Sequence, residues 1–147
     1  MSKLLRAMGQ IGRCGSIYRL GKLPIEDLPP FHHNLLIEIC ESPGLSQDRL
    51  ARQMCLNKST VTRRLTYLED HGYVMRTPGT SDKRVLLVAP TEKALALLPD
   101  LQRLNEEWSE ALTEELTDAE LDNLLSTLER LSDRAKALAS TVGGEEK

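Results

Sequence analysis

Ser59, Thr62, Arg63 and Thr66 place three hydroxyls and a guanidinium within eight residues, with Lys58 just ahead of them. Put Val61, Leu65 and Leu68 on the inner side of a helix at 100° per residue. Ser59, Arg63 and Thr66 then point away from the core, and Thr60 and Thr62 lie on the flanks. No carboxylate interrupts this face before Glu69. Arginine pairs with guanine, serine and threonine hydroxyls bond to either purine or pyrimidine edges, and a threonine methyl packs on thymine. The free N–H groups at such a helix's start favour phosphate. The chemistry on offer is recognition of double-stranded DNA.

Thirteen residues or so further on, Arg76, Lys83 and Arg84 flank a small polar tip, Thr77-Pro78-Gly79-Thr80-Ser81, and only Asp82 opposes them. A basic finger of this size fits along a phosphate backbone or into a narrow minor groove.

These residues need elements to hold them. Ser46 is a good N-cap for a short helix that turns Leu50, Ala51 and Met54 inward. Asn57 caps the next helix, which runs to about His71, and Gly72 stops it. Tyr73 to Arg76 reads as a strand and Arg84 to Ala89 as its return partner. Upstream, Leu4, Met8, Ile11, Gly15 and Tyr18 recur as one face of a first helix. After a connector from Leu23 to Asp27, a second helix starts near Pro29-Pro30 and buries Leu35, Leu36, Ile39 and Cys40. Ser42-Pro43-Gly44 ends it. Downstream of Thr91, a long helix carries Leu95, Leu98, Leu101, Leu104, Trp108 and Leu112, with a bend expected at Pro99. Thr117 and Glu120 form a capping box for a last helix striped with Leu121, Leu124, Leu125, Leu128, Leu131 and Leu138.

At 147 residues the chain has the size of one domain. With 3% aromatic residues and many leucines, it suits packed helices better than a β-sandwich. The net charge of −3 hides a division. Thirteen basic and eight acidic side chains lie in residues 1–91, six and fourteen in residues 92–147. A basic front suits a polyanionic partner. No run of 18 apolar residues predicts a membrane span, and no secretory leader is expected at the basic N-terminus. Cys14, Cys40 and Cys55 have no metal spacing, which is the usage of reduced thiols in a cytoplasm. Cys40 and Cys55 read as small core residues. No catalytic constellation, cofactor loop or metal-ligand set is evident, so the chain is not expected to be an enzyme.

Three runs together resemble the multiple-antibiotic-resistance regulator (MarR) family: Leu45 to Met54, Asn57 to Arg63, and Leu68-Glu69-Asp70-His71-Gly72-Tyr73-Val74. Asp82-Lys83-Arg84 resembles that family's D-x-R wing motif, followed by Thr91-Glu92-Lys93 at the start of the long helix. Ala89-Pro90 stands where the family has a Leu before Thr91, and Ala94 where it has a Gly. The resemblance implies a mainly α, winged helix-turn-helix fold with a two-stranded wing and long N- and C-terminal dimerisation helices. It implies a single domain over residues 1–147, with dimerisation helices at 1–28 and 99–142, a winged head at 30–98 and a frayed tail at 143–147. The expected function is a homodimeric transcriptional regulator, a repressor that reads a pseudo-palindrome. The DNA-facing set is Ser46, Gln47, Asn57, Lys58, Ser59, Thr60, Thr62, Arg63, Thr66, Arg76, Lys83 and Arg84, with Asp82 supporting the wing.

By the same resemblance, a small phenolic or other organic anion binds between the helical region and the head and releases the DNA. Arg13, Arg19, His32, His33 and Trp108 are the candidate pocket residues, although a surface or half-buried structural role suits the two histidines better. A redox-responsive regulator acting through a cysteine, and a winged-helix module that binds protein, stay open as alternatives.

Overall fold

The computed structural model describes residues 2–143. Helix α1 spans Lys3–Lys22, and the Ser2 hydroxyl caps it by accepting from Leu5 N. Gly15 is its buried residue. A Cβ there would stand 3.2 Å from the Trp108 indole nitrogen, so the glycine permits the close approach of α1 to that ring.

The expected second helix begins instead as a 3-10 turn, Pro30–His32, and becomes α2 over His33–Glu41. Strand β1 (Leu45–Ser46), α3 (Gln47–Gln53) and α4 (Lys58–Asp70) follow. Both helix-turn-helix caps stand where the sequence puts them. Ser46 Oγ accepts from Arg49 N, and Asn57 Oδ1 accepts from Thr60 N at 2.7 Å. Gly72, with φ +77°, ends α4 in a backbone conformation that favours glycine. Cys55 also adopts a positive φ, +53°, in the turn between α3 and α4. That turn holds it at the surface, so the expectation of a core thiol is corrected; Cys40 is buried and Cys14 exposed.

Strands β2 (Val74–Pro78) and β3 (Leu86–Pro90) lie further along the chain than their β-formers suggest. Thr77 and Pro78 pair with Leu87 and Leu86, while Arg84 and Val85 belong to the tip. Gly79 N donates to Val85 O and Val85 N to Asp82 O, closing that loop. The sheet has three antiparallel strands in the order β1–β3–β2. β1, paired at Leu45 to Val88, is too short to show alternation in sequence.

Leu35, Leu36, Ile39, Leu50, Val61, Leu65 and Leu68 form one core with Tyr73, Val74, Val88, Ala94 and Leu101. Each fully buried leucine contributes about 1.5–3 kcal/mol, so this core holds the three short helices together. Helix α5, Glu92–Thr113, continues through Pro99 as one element. Its buried face is Ala94, Leu101 and Leu104, whereas Leu95 is exposed.

The chain divides into two compact units between Trp108 and Ser109. The second holds the end of α5 and α6, Asp118–Gly143. Thr117 and Glu120 form the expected capping box: Thr117 N donates to Glu120 Oε2 at 2.9 Å and Glu120 N to Thr117 Oγ1 at 3.2 Å. Gly143 is the last residue of α6, and the rest of the expected frayed tail, 144–147, lies outside the described residues. Among the described residues, no helix is long and apolar enough to cross a membrane.

Candidate nucleic-acid interface

Helix α4 buries Val61, Leu65 and Leu68, which leaves Lys58, Ser59, Thr62, Arg63 and Thr66 exposed and Thr60 at the margin. Ser59 Oγ donates to Asn57 Oδ1 at 2.9 Å, so its lone pairs face outward as acceptors. Arg63 makes no ion pair among the described residues. Lys58 lies 3.8 Å from Asp48, both well exposed, and such a pair is worth little. Arg64, in the same helix, turns away from this face. It donates to Phe31 O at 3.4 Å and lies over the Phe31 ring.

At the wing tip, the Arg84 side chain is 92% exposed. Asp82 accepts from Arg84 N at 3.0 Å and from its Nε at 3.2 Å. These bonds, the backbone one first, hold the Asp82 carboxyl below its ordinary range and keep it charged. Lys83 is exposed beside them.

Arg76 is placed differently from the other wing cations. Its side chain is only 14% exposed and turns inward toward α4 and α3. NH2 donates to Glu69 Oε1 and to Thr66 Oγ1, each at 3.1 Å, and NH1 approaches Gln47 Oε1 at 3.5 Å. Its backbone N donates to Glu69 Oε2 at 2.8 Å. Gln47 Nε2 in turn donates to Thr62 Oγ1 at 2.7 Å. The Arg76 side chain and amide hold the Glu69 carboxyl below its usual range.

A second polar junction, centred on Asp27, carries no sequence signal. Asp27 accepts from Tyr73 Oη at 2.6 Å and from Lys93 Nζ at 2.8 Å, and its carbonyl accepts from Tyr67 Oη at 3.1 Å. Lys93 Nζ also donates to His71 O at 2.8 Å and sits over the Tyr73 ring. Thr91 Oγ1 donates to Gly72 O at 2.6 Å. The end of α4, the root of the wing and the start of α5 are thus bonded together.

The residues expected to line an effector pocket separate into groups. Arg19 is half-buried near Gly15 and Trp108, and its Nε has no partner among the described residues. Trp108 also packs on Tyr18, with ring centroids 5.1 Å apart. Burial lowers the Arg19 pKa. Arg13 is exposed, with its guanidinium beside Gly9. His32 and His33 are both fully buried, deeper than a surface or half-buried role. His32 stacks on Tyr67 at 4.7 Å, and burial, aided by the Arg64 charge, pushes its pKa down to about 4. His33 Nε2 lies 3.3 Å from Leu28 O, and burial lowers its pKa too. Both rings are therefore neutral near pH 7 and offer an anion no charge. An open apolar cleft of about 390 Å³ is lined by Leu20, Pro24, Ile25, Glu26, Pro29 and Pro30, and by neither histidine. Among the described residues, no three His, Cys, Asp or Glu side chains stand together as a metal site.

Residues 28–86, which hold α2, α3, α4 and the wing up to β3, match the sequence profile described as the MarR family. A SlyA-like transcription regulator from Listeria monocytogenes superposes with a TM-score of 0.88 at 25% identity, over 100% of this chain and 99% of that one. Over residues 28–86, less than half of its length, the chain is similar to the MarR family. Another Listeria monocytogenes structure, a MarR family regulator complexed with 26mer DNA, superposes at a TM-score of 0.83, with 26% identity and coverage of 100% and 99%. Among curated proteins, the HTH-type transcriptional regulator YybA of Bacillus subtilis (strain 168) is 28% identical over 131 residues, 89% of this chain and 87% of its own. The profile match contains the α4 face and Arg84, so the MarR likeness and the polar surface rest on the same residues. It excludes α1, α5 and α6, the elements whose order and length, rather than residues, carry the MarR likeness.

Proposed function

We propose that this chain is a DNA-binding regulator of the MarR kind that acts as a homodimeric repressor and reads a pseudo-palindromic operator, with α4 in the major groove and the wing in the flanking minor groove. The observation that carries this reading is the α4 face. Ser59, Thr62, Arg63 and Thr66 lie exposed together with no carboxylate among them, and Arg84 projects from the wing beside an ordering Asp82. Ser46, Gln47, Asn57, Lys58, Thr60 and Lys83 surround that face as backbone-contacting groups. The relative complexed with 26mer DNA supports the same mode of use. A module that binds protein would present apolar or acidic groups there instead.

Apolar faces support the dimer. Leu124, Leu125, Leu128, Leu131 and Leu138 of α6 remain 40–51% exposed, and Leu4, Leu5, Met8, Ile11 and Ile17 of α1 about as much or more. Exposed patches of that kind mark association surfaces. A two-fold dimer matches a palindrome. The half-buried Arg19, whose Nε has no partner among the described residues and which meets Trp108 around Gly15, supports release by a small organic anion.

Duplex affinity measured against salt tests the DNA reading. Log affinity should fall linearly with log salt at a slope near −0.9 for each phosphate contacted. Absent or salt-insensitive binding to the DNA upstream of its own gene would overturn it. Quenching of Trp108 fluorescence by aromatic acids, coupled to DNA release, tests the effector; quenching without release would count against it.

A further inference from the structure

We propose that Arg76 is a positioning residue for base recognition, whose guanidinium decides which hydrogen-bonding groups Gln47, Thr62 and Thr66 present to DNA. This rests on the DNA-binding reading above and goes beyond it, because Arg76 itself is turned away from the interface.

The hydrogen-bond directions follow from donor and acceptor inventories. A guanidinium only donates. Thr66 Oγ1 receives an Arg76 N–H at 3.1 Å, so its own proton goes to Thr62 O at 2.9 Å. The Thr66 hydroxyl thereby has no proton left to donate, and it can offer a base only its remaining lone pair and its methyl. The Gln47 carbonyl oxygen faces Arg76, which sets the amide so that Nε2 donates to Thr62 Oγ1. Gln47 keeps one N–H for DNA and loses the donor-plus-acceptor pair that reads adenine. Thr62 Oγ1, already accepting, keeps its proton as a donor.

Glu69 holds Arg76 in this pose with two bonds, one to the guanidinium and one to the backbone N. Without the Arg76 fork, the Gln47 amide is free to flip and the Thr66 hydroxyl to rotate. The surface would then offer mixed donor and acceptor patterns, and discrimination between base pairs would fall while its charge-driven affinity stayed.

The experiment compares the full-length protein with Arg76→Met and Arg76→Lys. Fluorescence anisotropy measures binding to a selected operator, to its single-base-pair variants and to an unrelated duplex. Arg76→Met is expected to lose roughly tenfold in discrimination at the base pairs under Thr62 and Thr66, with unrelated-duplex affinity changed less than about threefold. Unchanged discrimination overturns the proposal. So does an equal loss on every duplex, which would make Arg76 a phosphate contact. Should Arg76→Met fail to fold, Arg76→Lys retains stem and charge without the planar fork. It is expected to lose discrimination likewise, and full retention by it overturns the proposal. Failure of the DNA-binding reading is separately visible, as a lack of salt-dependent binding by the unaltered protein.

Discussion

Tyr73 Oη donates to Asp27 Oδ1 at 2.6 Å, binding the root of the wing to the connector that follows α1. Tyr73 is 1% exposed, so its hydroxyl depends on that one carboxylate. The bond and the Lys93 ammonium together hold the Asp27 carboxyl below its ordinary range, and burial with Asp27 raises the Tyr73 phenol well above its own. Removing the two partners should not cost the same. Asp27→Ala strands a buried hydroxyl and leaves Lys93 unpaired, at about 1–3 kcal/mol, whereas Tyr73→Phe removes a donor and costs about 1 kcal/mol. Urea unfolding of both variants checks the order; equal costs would show that water takes over from the carboxylate.

His32 predicts an acid-sensitive fold. Its folded pKa, about 4, lies below the ordinary 6.5 because burial disfavours the charged ring. The unfolded chain therefore takes up the proton first. The stabilisation is full above about pH 6.5 and is lost as pH falls toward about 4, amounting to roughly 3 kcal/mol. His32→Phe keeps a ring against Tyr67 and removes the proton site. Its melting temperature should fall less between pH 6.5 and 4 than that of the unaltered protein. Parallel curves would show that His32 binds its proton equally well in the folded and unfolded states.

Arg63 and Arg84 should fail in different ways. Arg63→Ala is expected to cost about 1–3 kcal/mol on the operator and to relax base preference. An equal loss on all duplexes would make Arg63 a phosphate contact. Arg84→Ala should weaken binding with melting temperature unchanged, since the side chain is almost fully exposed and its partner Asp82 is at the surface. Unchanged affinity would remove the wing from the interface.

Leu128 tests the association surface. It lies mid-stripe on α6 and is 42% exposed. Leu128→Glu puts a charge where a partner helix must dehydrate it. Sedimentation equilibrium should show dissociation at concentrations where the unaltered protein is dimeric; an unaltered dimer would clear this face.

Much of the head was legible because its signals are local. Ser46 and Asn57 announce helix starts, Gly72 a stop, and the Thr117–Glu120 pair a capping box. What was not legible depends on tertiary partners. β1 is two residues long and exists only against β3. Arg76 has the same sequence character as Lys83 and Arg84, and only the folded positions of Glu69, Thr66 and Gln47 turn it inward. Asp27 and Lys93 are 66 residues apart. Cys55 is apolar enough for a core, but the turn it occupies faces out. At the start of α5 the buried position is Ala94, in the core with Tyr73 and Val74, and not the more apolar Leu95 that the leucine spacing points to.

The tether at the end of α4 has a mechanical consequence. His71 O and Gly72 O are both held at the start of α5, by Lys93 in its first turn and by Thr91 just ahead of it. Helix α4 is thus tied at its rear to the start of α5, while its front is held by Val61 in the core and by Gln47 at Thr62. Ser59 stands about 18 Å from that rear tie, the pivot, along the helix axis. A swing of 10° sweeps it through about 3 Å, the full length of a hydrogen bond. Val61 lies about 15 Å from the pivot and would travel nearly as far, so its burial in the core is what keeps the exposed face of α4 in register.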